Sequence, residues 1–111
     1  MATIYKVLGQ VAPAIAATTA TLYTVPAARS TVVSTIVICN RGSASSTFRI
    51  AVQPAAATLA NQHYLNYDTA IPSNDTIFMT IGITLAATDI VTVYSSSSTN
   101  LSFSMFGSEI T

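Results

Sequence analysis

The chain is patterned as short runs of β-branched and aromatic residues, each ended by Gly, Pro, Asn, Asp or Ser. Runs of this kind predict β-strands bounded by turns. The predicted strands are Thr3–Leu8, Ala20–Val25, Thr31–Cys39, Thr47–Gln53, His63–Thr69, Thr76–Ile83, Ile90–Tyr94 and Leu101–Phe106. Because no long helical pattern separates these runs, we expect the strands to pair antiparallel.

Alternation within a run predicts which side chains face the core. In the fourth run, apolar residues alternate with Arg49 and other polar or small residues, which predicts a half-buried strand. In the last run, the predicted inward residues are Leu101, Phe103 and Met105. The third run is apolar on both faces, with Val37 and Cys39 on one and Ile38 on the other, so it predicts a central strand buried on both sides.

Three segments lie outside the strand pattern. Val11–Ala17 contains Pro13 and is interpreted as an extended linker. Ala55–Gln62 is alanine-rich, and it fits a helical turn or a loop equally well. Gly107–Thr111 is expected to leave the last strand and either contact a neighbouring subunit or fray, with neighbour contact favoured.

These elements predict an all-β chain that forms one domain over residues 1–111. The expected architecture is an antiparallel two-sheet sandwich of about eight strands, of jelly-roll or immunoglobulin-like type. A closed barrel is the alternative. The sequence does not determine the strand order.

The composition indicates that the surface of this sandwich carries few charged residues. Half of the chain is hydrophobic, 7% is charged and the formal net charge is zero, whereas an ordinary soluble domain is about 25% charged. Such a neutral surface favours contact with other proteins, including copies of the same chain. The scattered cations argue against nucleic-acid binding. No apolar run has the length of a membrane span, and a signal peptide is not expected.

Catalytic or metal-binding patterns are missing from the sequence. His63 is the only histidine, and Asp68 would lie on the opposite face of the same strand. No nucleophile motif, phosphate loop, paired cysteines or calcium-loop spacing occurs. Asp68, Asp75 and Asp89 lie at predicted strand ends, where aspartate bonds to turn amides. We therefore expect no enzyme, no cofactor and no metal, and a buried Cys39 thiol.

The candidate functional residues are aromatic and apolar contact residues. Tyrosine is common at interfaces because one side chain offers both apolar area and a hydroxyl group. The predicted interface residues are Tyr5, Tyr23, Tyr64, Tyr67, Phe106 and Ile110. Stacking of sugar rings on exposed tyrosines, including Tyr94, is the alternative.

Several segments together resemble a family of small virion proteins of tailed phages, including phages of cyanobacteria and marine bacteria. The segments are Ile4–Pro13, Leu22–Pro26, Val37–Gly42, Leu59–Tyr64 and Phe106–Thr111. They span nearly the whole chain in order.

The resemblance implies a non-enzymatic β-sandwich located in the virion and synthesised in the bacterial cytoplasm. The first expectation is a capsid decoration (cement) protein that bridges capsomers. Its partners would be the major capsid protein and further copies of itself, with a trimer favoured. The alternative is a tail, baseplate or fibre component, which would contact tail proteins and could bind host-surface glycans.

Overall fold

The computed structural model describes residues 2–111, which fold into two antiparallel sheets. The strands are β1 (Thr3–Val11), β2 (Thr18–Thr24), β3 (Ser30–Asn40), β4 (Ser46–Gln53), β5 (Tyr64–Ile71), β6 (Thr76–Met79), β7 (Ile83–Leu85), β8 (Ile90–Ser95) and β9 (Leu101–Ile110). Sheet A has the order β1-β9-β3-β6, with β7 also paired to β3, and sheet B has the order β2-β8-β4-β5. The predicted two-sheet sandwich is confirmed.

The strand order decides between the two expected sandwich types. An immunoglobulin fold keeps its first two strands side by side in one sheet. Here β1 and β2 lie in different sheets, and β9 lies between β1 and β3. This is the order of a jelly roll, in which β6 and β7 together occupy one strand position.

The core lies between the sheets and is built from the inward positions of both. The residues without solvent exposure include Ile36, Ile38, Phe48, Ile50, Ile71, Val91, Leu101, Phe103 and Met105. The rings of Phe48 in sheet B and Phe103 in sheet A meet edge to face, with centroids 6.3 Å apart. The inward positions predicted for the fourth and last strands are therefore confirmed.

The third strand differs from its prediction because it contains a β-bulge. Its register with β9 shifts between Val33 and Thr35, so Ser34 is an extra residue. Beyond the bulge the inward residues are Ile36 and Ile38, while Val37 and Cys39 turn to the outer face and are half-buried. The prediction of burial on both faces, and of a buried Cys39 thiol, is wrong because no layer covers the outer face of sheet A in residues 2–111.

The structure adds detail to two further predicted segments. The predicted strand Thr76–Ile83 is divided into β6 and β7, and Gly82 lies in the break with a φ of +53°. The alanine-rich segment forms two single-turn 3-10 helices, Pro54–Ala56 and Asn61–His63, joined by a loop. None of the helices in residues 2–111 is long and apolar enough to span a membrane.

The segment Gly107–Ile110 does not leave the sheet, contrary to the expectation. It continues β9 between β1 and β3, with Glu109 paired to Ile4 on one side and Thr31 on the other. Glu109 is buried, so this segment is part of the folded sandwich.

Candidate functional site

The first candidate surface is the outer face of sheet A, here called face A. Its rows follow the strand register: Tyr5 lies beside Ser108 and Val32, and Val7 lies beside Phe106 and Thr35. A further row joins Gln10, Ser104, Val37 and Phe78. The remaining positions of this face are Ser, Thr, Cys39 and Ile110.

Face A mixes apolar residues with Ser, Thr and Gln10, and no strand residue on it is charged. At its margin Arg41, which follows β3, donates from Nε to Ser102 Oγ at 2.7 Å. Lys6 and Glu109 are the charged residues of these strands, and both lie on the opposite face: Glu109 is buried, and Lys6, with its side chain 43% exposed, places Nζ 3.5 Å from the Glu109 carboxylate. Tyr5 is 85% exposed and Phe78 is 70% exposed. Exposed apolar side chains gathered on one face are typical of sites of protein association.

The second candidate surface is an aromatic cluster on the outer face of sheet B, here called face B. The Arg49 guanidinium lies between two tyrosine rings, 4.0 Å from the centroid of Tyr67 and 4.1 Å from that of Tyr94. Tyr64 packs edge-on against Tyr67, with centroids 4.9 Å apart. Cation–π contacts hold the guanidinium and the rings in one layer.

A bulge in β5 places Asp68, the acidic residue of this cluster, opposite Arg49. Phe48 pairs with Thr69 and Ile50 pairs with Asn66, so Tyr67 and Asp68 together lie opposite Arg49. Asp68 has a φ of 51°, and its carboxylate accepts two bonds from Arg49, at 2.7 and 3.3 Å. The bond to Asp68 raises the pKa of Arg49, which stays charged.

A third polar cluster is buried between the sheets. Glu109 in β9 is 1% exposed, and its carboxylate accepts bonds from the Tyr23 hydroxyl at 2.5 Å and from Arg29 Nη1 at 2.8 Å. The Tyr23 hydroxyl also lies 2.8 Å from Thr31 Oγ1. Because Tyr23 is in β2 and Glu109 is in β9, this cluster ties sheet B to sheet A.

These contacts shift the pKa values of Glu109 and Tyr23. The bond from Tyr23 is the main cause that lowers the pKa of Glu109, assisted by Arg29 and Lys6 and opposed by burial. Burial, together with the bond to the Glu109 carboxylate, raises the pKa of Tyr23 to about 12. The cluster therefore holds an ionised carboxylate and a neutral phenol over a wide range of pH.

The structure distributes the six predicted interface residues over three places. Tyr5, Phe106 and Ile110 lie on face A. Tyr64 and Tyr67 lie on face B, where Tyr94 joins them. Tyr23 lies in the core, 8% exposed, and its hydroxyl is engaged with Glu109 and Thr31.

The remaining polar residues that were weighed for chemistry stabilise turns. His63 Nδ1 accepts a bond from the Ala60 N–H at 3.0 Å. The two carboxylate oxygens of Asp89 accept bonds from the N–H groups of Ala55 and Ala86 at 2.8 and 2.9 Å, and Asp75 accepts from the N–H of Thr76. In residues 2–111, no three His, Cys, Asp or Glu side chains come together as metal ligands.

Sequence reasoning missed two residues that shape these surfaces. Alternation in the sixth predicted strand places Phe78 opposite Ile77 and Met79, which is the signal that it faces outward. Arg49 likewise alternates with Phe48 and Ile50. The alternation therefore shows that both side chains face outward. It does not show which residues of neighbouring strands each one contacts.

Comparison with solved structures supports the fold. No protein-family model matches the chain, and no curated protein matches it. Among solved structures, the chain is similar to one in the structure of infectious bursal disease virus, Gx strain, with a TM-score of 0.51 and 15% sequence identity. The similarity covers 97% of this chain and 30% of the viral chain, so this chain spans less than a third of that neighbour's length. At this identity the likeness concerns the β-sandwich fold.

Proposed function

We propose that this chain is a non-enzymatic structural protein of a virus particle, and specifically a decoration (cement) protein that bridges and stabilises the capsomers of a tailed phage. The observation that carries the proposal is face A, a sheet surface on which no strand residue is charged and on which Tyr5 and Phe78 are exposed. The fold likeness to a chain of a virus structure and the resemblance to phage virion proteins support it.

Face A suits attachment to a protein lattice for an energetic reason. Burying a charged side chain costs free energy unless a partner compensates for its lost hydration. Face A presents Ser, Thr and apolar side chains instead, and each apolar side chain that is buried contributes favourable free energy. The major capsid protein is the expected partner of this face.

Quantitative mass spectrometry of purified phage particles tests the role. A copy number close to that of the major capsid protein is expected for a subunit that covers the head lattice. A copy number far below that of the capsid protein would overturn the decoration role and move the chain to the tail, baseplate or fibre.

A matched pair of variants tests the face. Phe78 on face A and Tyr67 on face B are both exposed aromatic residues, 70% and 58% exposed, on opposite sides of the sandwich. Phe78→Ser is expected to lower the occupancy of the particle, whereas Tyr67→Ser is expected to leave it unchanged. Equal occupancy for both variants would contradict attachment through face A.

A second candidate function rests on face B. The exposed Tyr67 ring and the half-buried Tyr64 and Tyr94 rings, beside a guanidinium and a carboxylate, offer stacking and hydrogen bonds to a sugar. A tail or fibre subunit would use this cluster to bind host-surface glycans. A glycan array distinguishes the candidates, because binding that is lost in Tyr67→Ser and kept in Phe78→Ser supports this function.

A further inference from the structure

The sandwich has four sheet edges, and they differ in how well they are protected from pairing with another chain. Natural proteins protect edges with bulges, charges, prolines or very short strands. At one edge of sheet B, β5 carries the bulge at Asp68 and the Arg49–Asp68 ion pair. At one edge of sheet A, β6 and β7 are only four and three residues long.

The other two edges are β2 and β1, which lie on the same side of the sandwich. The register of β2 shifts between Thr21 and Tyr23, and Leu22 and Tyr23 are buried. β1 is longer, at nine residues, and its register shifts only after Val7. Beyond that bulge, Gly9 packs against β2 so closely that a Cβ atom would lie 2.1 Å from the Leu22 carbonyl oxygen. The regular half of β1, Thr3–Val7, is exposed throughout.

The hydrogen-bond phase of β1 shows which backbone groups face outward. The Thr111 N–H donates to the Ala2 carbonyl at 2.9 Å. In an antiparallel pair, hydrogen-bonded and non-bonded residue pairs alternate. Ile4 and Lys6 therefore exchange bonds with β9, while Thr3, Tyr5 and Val7 direct their N–H and C=O groups away from it. No other strand of residues 2–111 pairs with this side of β1.

The one charge on this edge strand is paired within the chain. Lys6 is the only charged residue of β1, and its ammonium group lies 3.5 Å from the buried Glu109 carboxylate. The Lys6 side chain is 43% exposed, but its charge is paired within the chain, and this pairing weakens its repulsion of an identical strand. The residues whose backbone groups face outward carry the neutral side chains of Thr3, Tyr5 and Val7.

We infer that the Thr3–Val7 edge of β1 pairs antiparallel with the same segment of a second copy of this chain, about a two-fold axis. Two identical antiparallel edges are complementary to each other, since each offers the donors and acceptors that the other lacks. The two A sheets then form one continuous sheet, and on the joined face A Tyr5 of one copy lies opposite Tyr5 of the other, while Val7 lies opposite Thr3.

The inference deepens the proposed structural role by naming a partner, and it rests on that role. A two-fold contact builds a dimer, whereas the family resemblance implies a trimer. The joined sheet presents twice the apolar surface to a capsid lattice, and so it strengthens attachment without any new side chain.

Sedimentation velocity on the full chain tests the pairing with two variants at one position. Tyr5→Pro removes an outward N–H and leaves the bonds between β1 and β9 in place, because proline is tolerated at a free edge. Tyr5→Thr removes the ring and keeps the N–H, so it is the matched control. We expect a dimer in the native chain, a dissociation constant at least about tenfold higher in Tyr5→Pro, and a change within about threefold in Tyr5→Thr.

Amide hydrogen exchange by NMR tests the same contact without any substitution. Raising the protein concentration is expected to slow exchange at Thr3, Tyr5 and Val7, whose amides face outward, and to leave Ile4 and Lys6 unchanged. A monomer at all concentrations, a trimer, or equal weakening by both Tyr5 variants would overturn the inference. A dimer that is missing from phage particles would overturn the proposed function alone, and a monomer at capsid-like copy number would overturn the pairing alone.

Discussion

Two polar clusters in this molecule have similar composition and opposite surroundings. The Glu109 cluster and the Arg49 cluster each combine one carboxylate, an arginine and tyrosine. Glu109 is enclosed between the sheets, whereas Asp68 lies on face B with its side chain 46% exposed. The difference indicates that the same residue types stabilise the fold in one place and remain available for contacts in the other.

The physical reason is hydration. A buried carboxylate that loses its partners cannot regain water, so the loss has a large effect on stability. An exposed ion pair is exchanged for water at almost no cost. Substitutions in the two clusters should therefore have very different effects on unfolding, although their contacts look alike.

The largest effect is expected from removing the buried carboxylate. Glu109→Ala leaves the Tyr23 hydroxyl without its main acceptor and frees two cations beside the core, and we expect a loss of about 3 kcal/mol in the free energy of unfolding. Urea denaturation measures this loss. An unfolding free energy within about 0.5 kcal/mol of the native value would show that the buried cluster does not hold the two sheets together.

The next effect is expected from Tyr23→Phe, which keeps the ring in the core and removes only the hydroxyl. We expect a loss of about 1.5 kcal/mol, smaller than that of Glu109→Ala, because Glu109 keeps Arg29 but loses its shortest bond. The same denaturation measurement applies. A loss as large as that of Glu109→Ala would mean that the arginine contributes little to holding the carboxylate.

The pH dependence of stability follows from the two shifted pKa values in the buried cluster. The pKa of Glu109 is lower in the folded than in the unfolded chain, so its contribution is present above about pH 4.5 and is lost as the pH falls through the folded value. The pKa of Tyr23 is raised to about 12, so its contribution is present below about pH 10 and is lost as the pH rises from 10 to 12.

Thermal unfolding across the pH range checks both limits. Glu109→Gln is expected to weaken the acid-side dependence, and Tyr23→Phe is expected to weaken the alkaline-side dependence. If the native chain and Glu109→Gln lose stability in parallel on acidification, other carboxylates cause the acid dependence.

The smallest effect is expected on face B. Asp68→Asn removes the charge of the exposed partner, while Arg49 keeps its position between the Tyr67 and Tyr94 rings. We expect a change of no more than about 1 kcal/mol, reduced further by salt. Urea denaturation at low and high ionic strength measures it. A loss comparable to that of Glu109→Ala would remove the contrast between the two clusters.

Alternation along the chain was sufficient to predict most strands and their inward residues. Leu101, Phe103 and Met105 are fully buried as predicted, because a side-chain period of two is a local property of extended backbone. The absence of long helical segments was likewise enough to predict an antiparallel sandwich. The interface role of Tyr5, Tyr64, Tyr67, Phe106 and Ile110 stays a prediction.

The surroundings of the candidate sites could not be predicted in this way. One bulged residue, Ser34, reverses the faces of the rest of β3 and places Cys39 outside the core. Tyr23 looked like an interface residue, yet it lies in the core because Glu109, 86 positions further along the chain, accepts its hydroxyl bond.

The sequence by itself determined most of the strands, the antiparallel all-β class and a composition poor in charge, because these depend on local periodicity and residue types. Only the tertiary structure decided the jelly-roll order, the burial of Glu109 and the free edge at Thr3–Val7. Those features depend on which distant strands become neighbours, and long-range pairing is set by the packing of the whole core.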